Sequence, residues 1–236
     1  MDNTIQAIFF DAGNTLIFPR LAELAEALTA DGFPATVEDF YVADRRGRAK
    51  LDEFLWPLLQ QGKVPRTVDP IYWKGYLDAL MEQLHVPERK QAEVVERLSA
   101  RFREISFWSH VFPETPGILD SLRARGYYLG VISNSMGWIE EQLGNVDLAR
   151  HFDIIVDSAV VGIEKPHPGI FRLALERAGV QAAEAVFVGD TYSTDVGGAQ
   201  RVGLRGILLD CIDAYPHADC ARIRSLKELD QVLEGL

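Results

Sequence analysis

Four times in this chain an apolar run stops on a chemically active side chain, and that recurrence limits the fold more than any other feature. Ala7-Ile8-Phe9-Phe10 ends at Asp11 and is followed by the small-residue turn Ala12-Gly13-Asn14-Thr15-Leu16. Tyr128-Leu129-Gly130-Val131-Ile132 ends at Ser133-Asn134-Ser135. Ile154-Ile155-Val156 precedes the rigid loop Gly162-Ile163-Glu164-Lys165-Pro166-His167-Pro168, and Ala185-Val186-Phe187-Val188 ends at Gly189-Asp190-Thr191-Tyr192-Ser193-Thr194-Asp195. Each reads as a buried strand that delivers a polar group to a loop. In an open parallel α/β sheet such loops lie at the carboxyl ends of the strands, where ligands bind. Singly, strand-end Asp, Ser and Lys residues are ordinary, because they cap helices and close turns. In order, these four ends supply a carboxylate, a hydroxyl, an ammonium and a pair of carboxylates.

Between the first run and the second the rhythm changes. Leu21, Leu24, Ala25 and Leu28 recur with helical spacing, as do Leu77, Leu80, Met81 and Leu84, and then Val94, Val95, Leu98 and Phe102. Gly32-Phe33-Pro34, Gly62-Lys63-Val64-Pro65 and Val86-Pro87 punctuate these helices. From about Phe112 onward helices and strands alternate, the mark of a doubly wound parallel sheet. Helices are expected over 117–126 and 169–178, the latter closed by Gly179, and a strand over 205–209. Ser225-Leu226-Lys227-Glu228 reads as a capping box opening a terminal helix. The expected architecture is α/β: a doubly wound, Rossmann-like parallel sheet formed by residues 1–16 and 106–236, with a mainly α-helical cap domain inserted at 17–105.

With 236 residues, 47% of them hydrophobic, the chain can bury one large core or two modest ones. No apolar run approaches a membrane span, and the start lacks signal-peptide character, so a cytoplasmic protein without a membrane partner is expected. A formal charge of -11 disfavours nucleic acid as a partner, while leaving room for a small phosphorylated substrate bound by local cations. Cys211 and Cys220 form no zinc-type cluster. The oligomeric expectation is a monomer or homodimer.

If the sheet gathers Asp11, Asp190 and Asp195 beside Lys165, three carboxylates face one ammonium. Two negative charges then go uncompensated in a site meant for an anion. A divalent cation resolves that count, and oxygen-only ligands point to Mg2+. The basic cluster Arg45, Arg46, Arg48 and Lys50 reads as a solvated helix face. Trp56, Tyr72, Trp73 and Tyr76 read as packing, and His167 as a stiffener of its proline-flanked loop.

These four segments, in this order, resemble the haloacid dehalogenase-like (HAD) superfamily of hydrolases, most of which are magnesium-dependent phosphatases. The resemblance covers residues 1–16 and about 112–209. It implies that Asp11 is the nucleophile, Ser133 the phosphate-binding hydroxyl, Lys165 the neutralising lysine, and Asp190 with Asp195 the acidic metal motif. It further implies metal ligation by Asp11, Asp190 and the Gly13 carbonyl, with Asp195 binding directly or through water. Gly13, Asn14, Thr15 and Asn134 are the expected substrate-binding positions, with backbone N–H groups of the Asp11 to Asn14 loop holding phosphoryl oxygens. The insertion after the first motif is similar to the helical caps of this superfamily.

One position departs. Most family phosphatases carry a second Asp where this chain has Gly13, and that Asp protonates the leaving oxygen and later activates water. Its loss implies a slow phosphohydrolase, or one confined to good leaving groups such as acyl phosphates, unless an inserted side chain substitutes. Two other readings remain open here. A metal-independent 2-haloacid dehalogenase also lacks the second Asp, although the paired acids would repel a haloacid. A non-catalytic, phosphate-binding regulatory protein would keep the site without turnover. Cleavage of a phosphonate would call for a lysine of the insertion, and neither Lys50, Lys63 nor Lys74 is assigned to that role.

Overall fold

A computed structural model describes residues 4–64, 70–216 and 218–236. Its central strand is β1 (Ala7–Phe10). The short β2 (Phe18–Pro19) pairs antiparallel with β3 (Trp108–His110). The remaining strands are β4 (Tyr128–Ser133), β5 (Ile154–Asp157), β6 (Ala185–Gly189), β7 (Arg205–Leu209) and β8 (Ala221–Ile223). Apart from β2 and β3 they form one sheet in the order β5-β4-β1-β6-β7-β8, and every pairing in it is parallel. The chain thus winds outward from β1 in both directions, and the carboxyl ends of β1, β4 and β6 lie side by side at the reversal, where a crevice opens.

The helices follow from the periodicity. They are α1 (Leu21–Ala30), α2 (Val37–Gln60), α3 (Pro70–Gln83) and α4 (Glu88–Phe102) between β2 and β3. The sheet carries α5 (Thr115–Ala124), α6 (Ile139–Asn145), α7 (Ser158–Val161), α8 (Pro168–Ala178), α9 (Gly198–Gln200) and α10 (Leu229–Glu234). None of the described helices is long and apolar enough to cross a membrane.

Strand β1 is apolar throughout because both of its faces are covered. Ile8 and Phe10 join a core with Leu119, Leu122, Leu143, Leu229 and Leu233. Ala7 and Phe9 face the other way, into a core with Ile170, Phe171 and Ala174. A third cluster belongs to the helical segment alone, built on Leu24, Leu28, Leu80, Met81, Val94 and Leu98. The β2–β3 ribbon is the stem where that segment leaves and rejoins the sheet.

Local chemistry sets several boundaries. Thr36 and Asp39 form a reciprocal capping box that starts α2, and Gly179 closes α8 in the left-handed region at φ 70°. The C-terminal start differs from the expected box. Ser225 accepts from the Lys227 N–H, but Glu228 reaches the Arg224 N–H instead of the Ser225 one, and a 3-10 turn over Leu226–Glu228 precedes α10. The three-residue β8 has no counterpart in the sequence reading, since so short a run carries no periodicity.

Gly130 fixes the spacing between β1, β4 and β5. A Cβ there would lie 2.6 Å from Phe9 Cδ1 and 2.9 Å from Ile154 Cγ2. Gly130→Ala is therefore expected to destabilise the fold by about 1–3 kcal/mol, the usual range for an overpacked core, read as a lower urea midpoint at unchanged slope.

Candidate active site

Asp11 follows β1 directly, and its N–H donates to Val188 O at 2.8 Å, which stitches the loop to β6. The chain then turns back tightly. Leu16 and Ile17 N–H groups both reach Ala12 O, the Asn14 N–H donates to Ile17 O at 2.8 Å, and Asn14 takes a left-handed φ of 55°. The Asn14 N–H is thereby engaged within the turn, which removes it from the groups expected to hold a phosphoryl oxygen. The Asn14 amide nitrogen and the Thr15 hydroxyl are buried without a hydrogen-bond partner among the described residues.

Lys165 enters from the loop after α7. Its backbone is clamped to Asn134, whose side-chain oxygen accepts the Lys165 N–H at 2.7 Å and whose amide donates to Lys165 O at 2.9 Å. Thus Asn134, expected from its place after β4 to bind substrate, positions the lysine. The Lys165 ammonium lies 2.6 Å from Asp11 Oδ1 and 2.7 Å from Asp195 Oδ1, and is almost fully buried. Burial pushes this ammonium down, but the two carboxylates outweigh it and the net shift is upward. For Asp11 and Asp195 burial is the largest influence and raises both, opposed by Lys165. The second Asp195 oxygen accepts the Thr191 N–H at 3.0 Å. Asp11, Asp190 and Asp195 each offer an oxygen within 4.8 Å of the others, an all-oxygen donor set suited to a hard divalent cation.

The charge count differs from the sequence expectation. Helix α2 turns two cations of the basic cluster inward. Arg45 donates to Asp190 Oδ2 at 2.8 Å and to Asn14 O at 2.8 Å, with 2% of its surface exposed. Arg48 lies 3.1 Å from the same Asp190 oxygen and 2.9 Å from Asp44. Arg46 and Lys50 point outward, to Gln83 and Glu53. Three carboxylates of the site therefore meet three cations, Lys165, Arg45 and Arg48, the last of them shared with Asp44. Burial is again the largest influence on Asp190 and raises it, against both guanidinium groups.

One turn further along α2, Asp52 reaches the same loop. It accepts the Tyr192 and Ser193 N–H groups, each at 2.9 Å, and the Ser193 hydroxyl. Burial lifts its carboxyl to about 6 despite these bonds. Trp56, one more turn on, packs at 4.6 Å between centroids on Tyr192. Arg45, Arg48, Asp52 and Trp56 share one stripe of α2, at helical spacing, but that spacing alone does not say that this stripe meets the sheet. Tyr76 packs as expected and donates to Asp44 at 2.8 Å, while the side chains of Tyr72 and Trp73 lie outside the described residues. His167 caps α8 by accepting the Gly169 N–H.

These groups border a cavity of about 270 Å³. Asp11, Ser133, Lys165 and Asp195 form its floor, and Arg48 and Leu51 of α2, Phe102 of α4 and Trp108 of β3 contribute to its walls. Lys50 and Lys74 instead make exposed pairs with Glu53 and Asp78. Trp108 escaped the sequence reading. Its indole N–H donates to Phe102 O at 3.0 Å, and its ring lies 3.3 Å from where a Cβ on Gly13 would stand.

A six-stranded parallel sheet with a buried Asp, Lys and two further Asp residues at its carboxyl edge matches what comparison finds. The haloacid dehalogenase-like hydrolase model matches residues 5–203. This chain belongs to that family and is a hydrolase. It is 36% identical over 207 residues to phosphoserine phosphatase of Thermus thermophilus, covering 84% of this chain and 77% of that protein. A HAD phosphatase from Thermococcus onnurineus aligns over 98% of this chain and 99% of its own, with TM-score 0.59 and 26% identity. The 2-haloacid dehalogenase of Pseudomonas syringae pv. Tomato DC3000 aligns over 98% and 99%, with TM-score 0.56 and 27% identity.

The Asp52 clamp has a direct test. In Asp52→Asn one oxygen becomes an amide that faces a donor, leaving a buried N–H without an acceptor. The expected loss is about 1–3 kcal/mol of stability, measured by urea unfolding.

Proposed function

We propose that this chain is a Mg2+-dependent phosphohydrolase that acts on a small phosphorylated metabolite through an aspartyl-phosphate on Asp11. The observation that carries the reading is the Lys165 ammonium at 2.6 Å from Asp11, buried on a cavity floor that also contains Ser133. A phosphoryl group is recognised by its charge, and this floor places a cation and a hydroxyl beside the nucleophile. The phosphatases among the relatives support the same reaction class. Asp11, Asp190 and Asp195, with the Gly13 carbonyl, would hold Mg2+. The metal supplies neutralisation of the phosphoryl oxygens.

In this reading Lys165 orients the Asp11 carboxylate and then balances charge on the transferring group. Asp11 attacks phosphorus, and the intermediate is released by water. Helices α2 and α4 act as a cap, since Arg48, Leu51 and Phe102 close the cavity over Asp11. With Gly13 in place of an acid, substrates with good leaving groups are favoured.

A second reading, metal-independent dehalogenation, gains from one observation. Arg45 and Arg48 already neutralise Asp190, so the acids would not repel a haloacid as their number alone suggested. The likeness to the Pseudomonas dehalogenase at 27% identity points the same way.

The test is phosphate release from acetyl phosphate, p-nitrophenyl phosphate and a sugar phosphate, with and without Mg2+. Release that needs Mg2+ and falls to background in Asp11→Asn is expected. Chloride release from a 2-haloacid without metal would install the dehalogenase, and tight phosphate binding with no turnover the regulatory protein. Arg45 supplies a further prediction. Because its guanidinium occupies Asp190, Arg45→Gln is expected to bind Mg2+ about tenfold more tightly, roughly 1.4 kcal/mol, by titration calorimetry.

A further inference from the structure

Among the described residues, those lining the cavity over Asp11 include a nucleophile and cations but no free carboxylate and no imidazole. Among the described residues that line it, the carboxylates are Asp11 and Asp195, and no histidine is present. Asp195 has one oxygen on Lys165 and the other on the Thr191 N–H, so it is committed as an acceptor. Lys165 pairs with Asp11 and Asp195, and Arg48 with Asp190 and Asp44, so both cations are already engaged. Position 13 lines the cavity, and a side chain there would crowd the Trp108 ring. A Cβ on Gly13 would stand 3.3 Å from Trp108 Cζ3 and 3.6 Å from Cη2. Gly13 is not in the left-handed region, so its backbone would accept a side chain. The indole, bonded to Phe102 O, would have to yield by a few tenths of an ångström to a Cβ there.

Resting on the phosphohydrolase reading, we propose that Gly13, with the Trp108 ring packed over it, makes Asp11 a long-lived phosphorylation site, charged by acyl or aryl phosphates and discharged slowly. The two half-reactions respond differently to the missing proton carrier. In the first, an Asp11 oxygen bonds to phosphorus and the bond to the leaving oxygen breaks, its electron pair staying on that oxygen. A carboxylate or phenolate departs as a stable anion and needs no acid. In the second, water bonds to phosphorus, the Asp11 oxygen leaves as carboxylate, and the water proton passes to phosphate and solvent. No choice of substrate relieves that step, because its leaving group is always Asp11 and its nucleophile is always water. General base help is typically worth about 10²–10⁴-fold, and its absence falls wholly on discharge. The same indole, with Phe102 and Trp138, gives the departing group an apolar aromatic wall, which favours flat acyl or aryl groups over sugars.

The experiment mixes the full chain with p-nitrophenyl phosphate or benzoyl phosphate and Mg2+, follows leaving-group release from the first milliseconds, and weighs the acid-quenched protein. The expected result is a burst approaching one equivalent of nitrophenolate per chain, then a slow steady rate. One phosphoryl group is found on Asp11, absent in Asp11→Asn, and the steady rate is the same for both donors. The double variant Gly13→Asp with Trp108→Leu, which makes room for the carboxylate, is expected to abolish the burst and raise the steady rate at least tenfold. Steady turnover without a burst or a covalent phosphate, at a rate that follows the leaving group, overturns the proposal and leaves the phosphohydrolase reading intact. No phosphate release and no adduct from either donor overturns both.

Discussion

An ammonium buried between two carboxylates organises the rest of this molecule. Lys165 stands 154 positions after Asp11 in the sequence, yet its Nζ lies within hydrogen-bonding distance of both Asp11 and Asp195. Charges that leave water persist only when paired and hydrogen-bonded, and removal of one partner from such a buried pair typically costs about 3–5 kcal/mol. The ends of β1, β5 and β6 must therefore arrive together or not at all. The backbone clamp between Asn134 and Lys165 carries the end of β4 into the same arrangement. The sheet order places β1 between β4 and β6, so that these strand ends lie side by side.

The helical segment is bound to this centre by charge as well as by packing. Arg45, Arg48 and Asp52 of α2 all terminate on the loop from Asp190 to Ser193. The two guanidinium groups occupy the same Asp190 oxygen.

Much of the architecture was legible. The continuous apolar runs announced strands covered on both faces, and the helical spacing of Leu24, Leu28, Leu80 and Leu98 announced a separate helical core. The polar residues at strand ends announced the site, because a buried strand rarely ends on such groups without a use for them. What escaped had no local signature. The inward turn of Arg45 and Arg48 beside the outward turn of Arg46 and Lys50 is a matter of which helix face meets the sheet, and a run of four basic residues does not say. Trp108 stands ninety-five positions from Gly13, and only the antiparallel pairing of β2 with β3 brings its ring across the loop.

The sequence by itself determined the chemistry available at each strand end, and the α/β alternation that would gather those ends, since both depend on residue type and short-range periodicity. Tertiary structure alone decided the balance of charge and which side chains stand beside Gly13. Those depend on distances between groups far apart in the chain: two guanidinium groups brought onto Asp190 by helix docking, and an indole placed where Gly13 leaves room for a side chain. Electrostatic energy falls with separation, and packing requires contact. Neither quantity exists until the fold has set the distances.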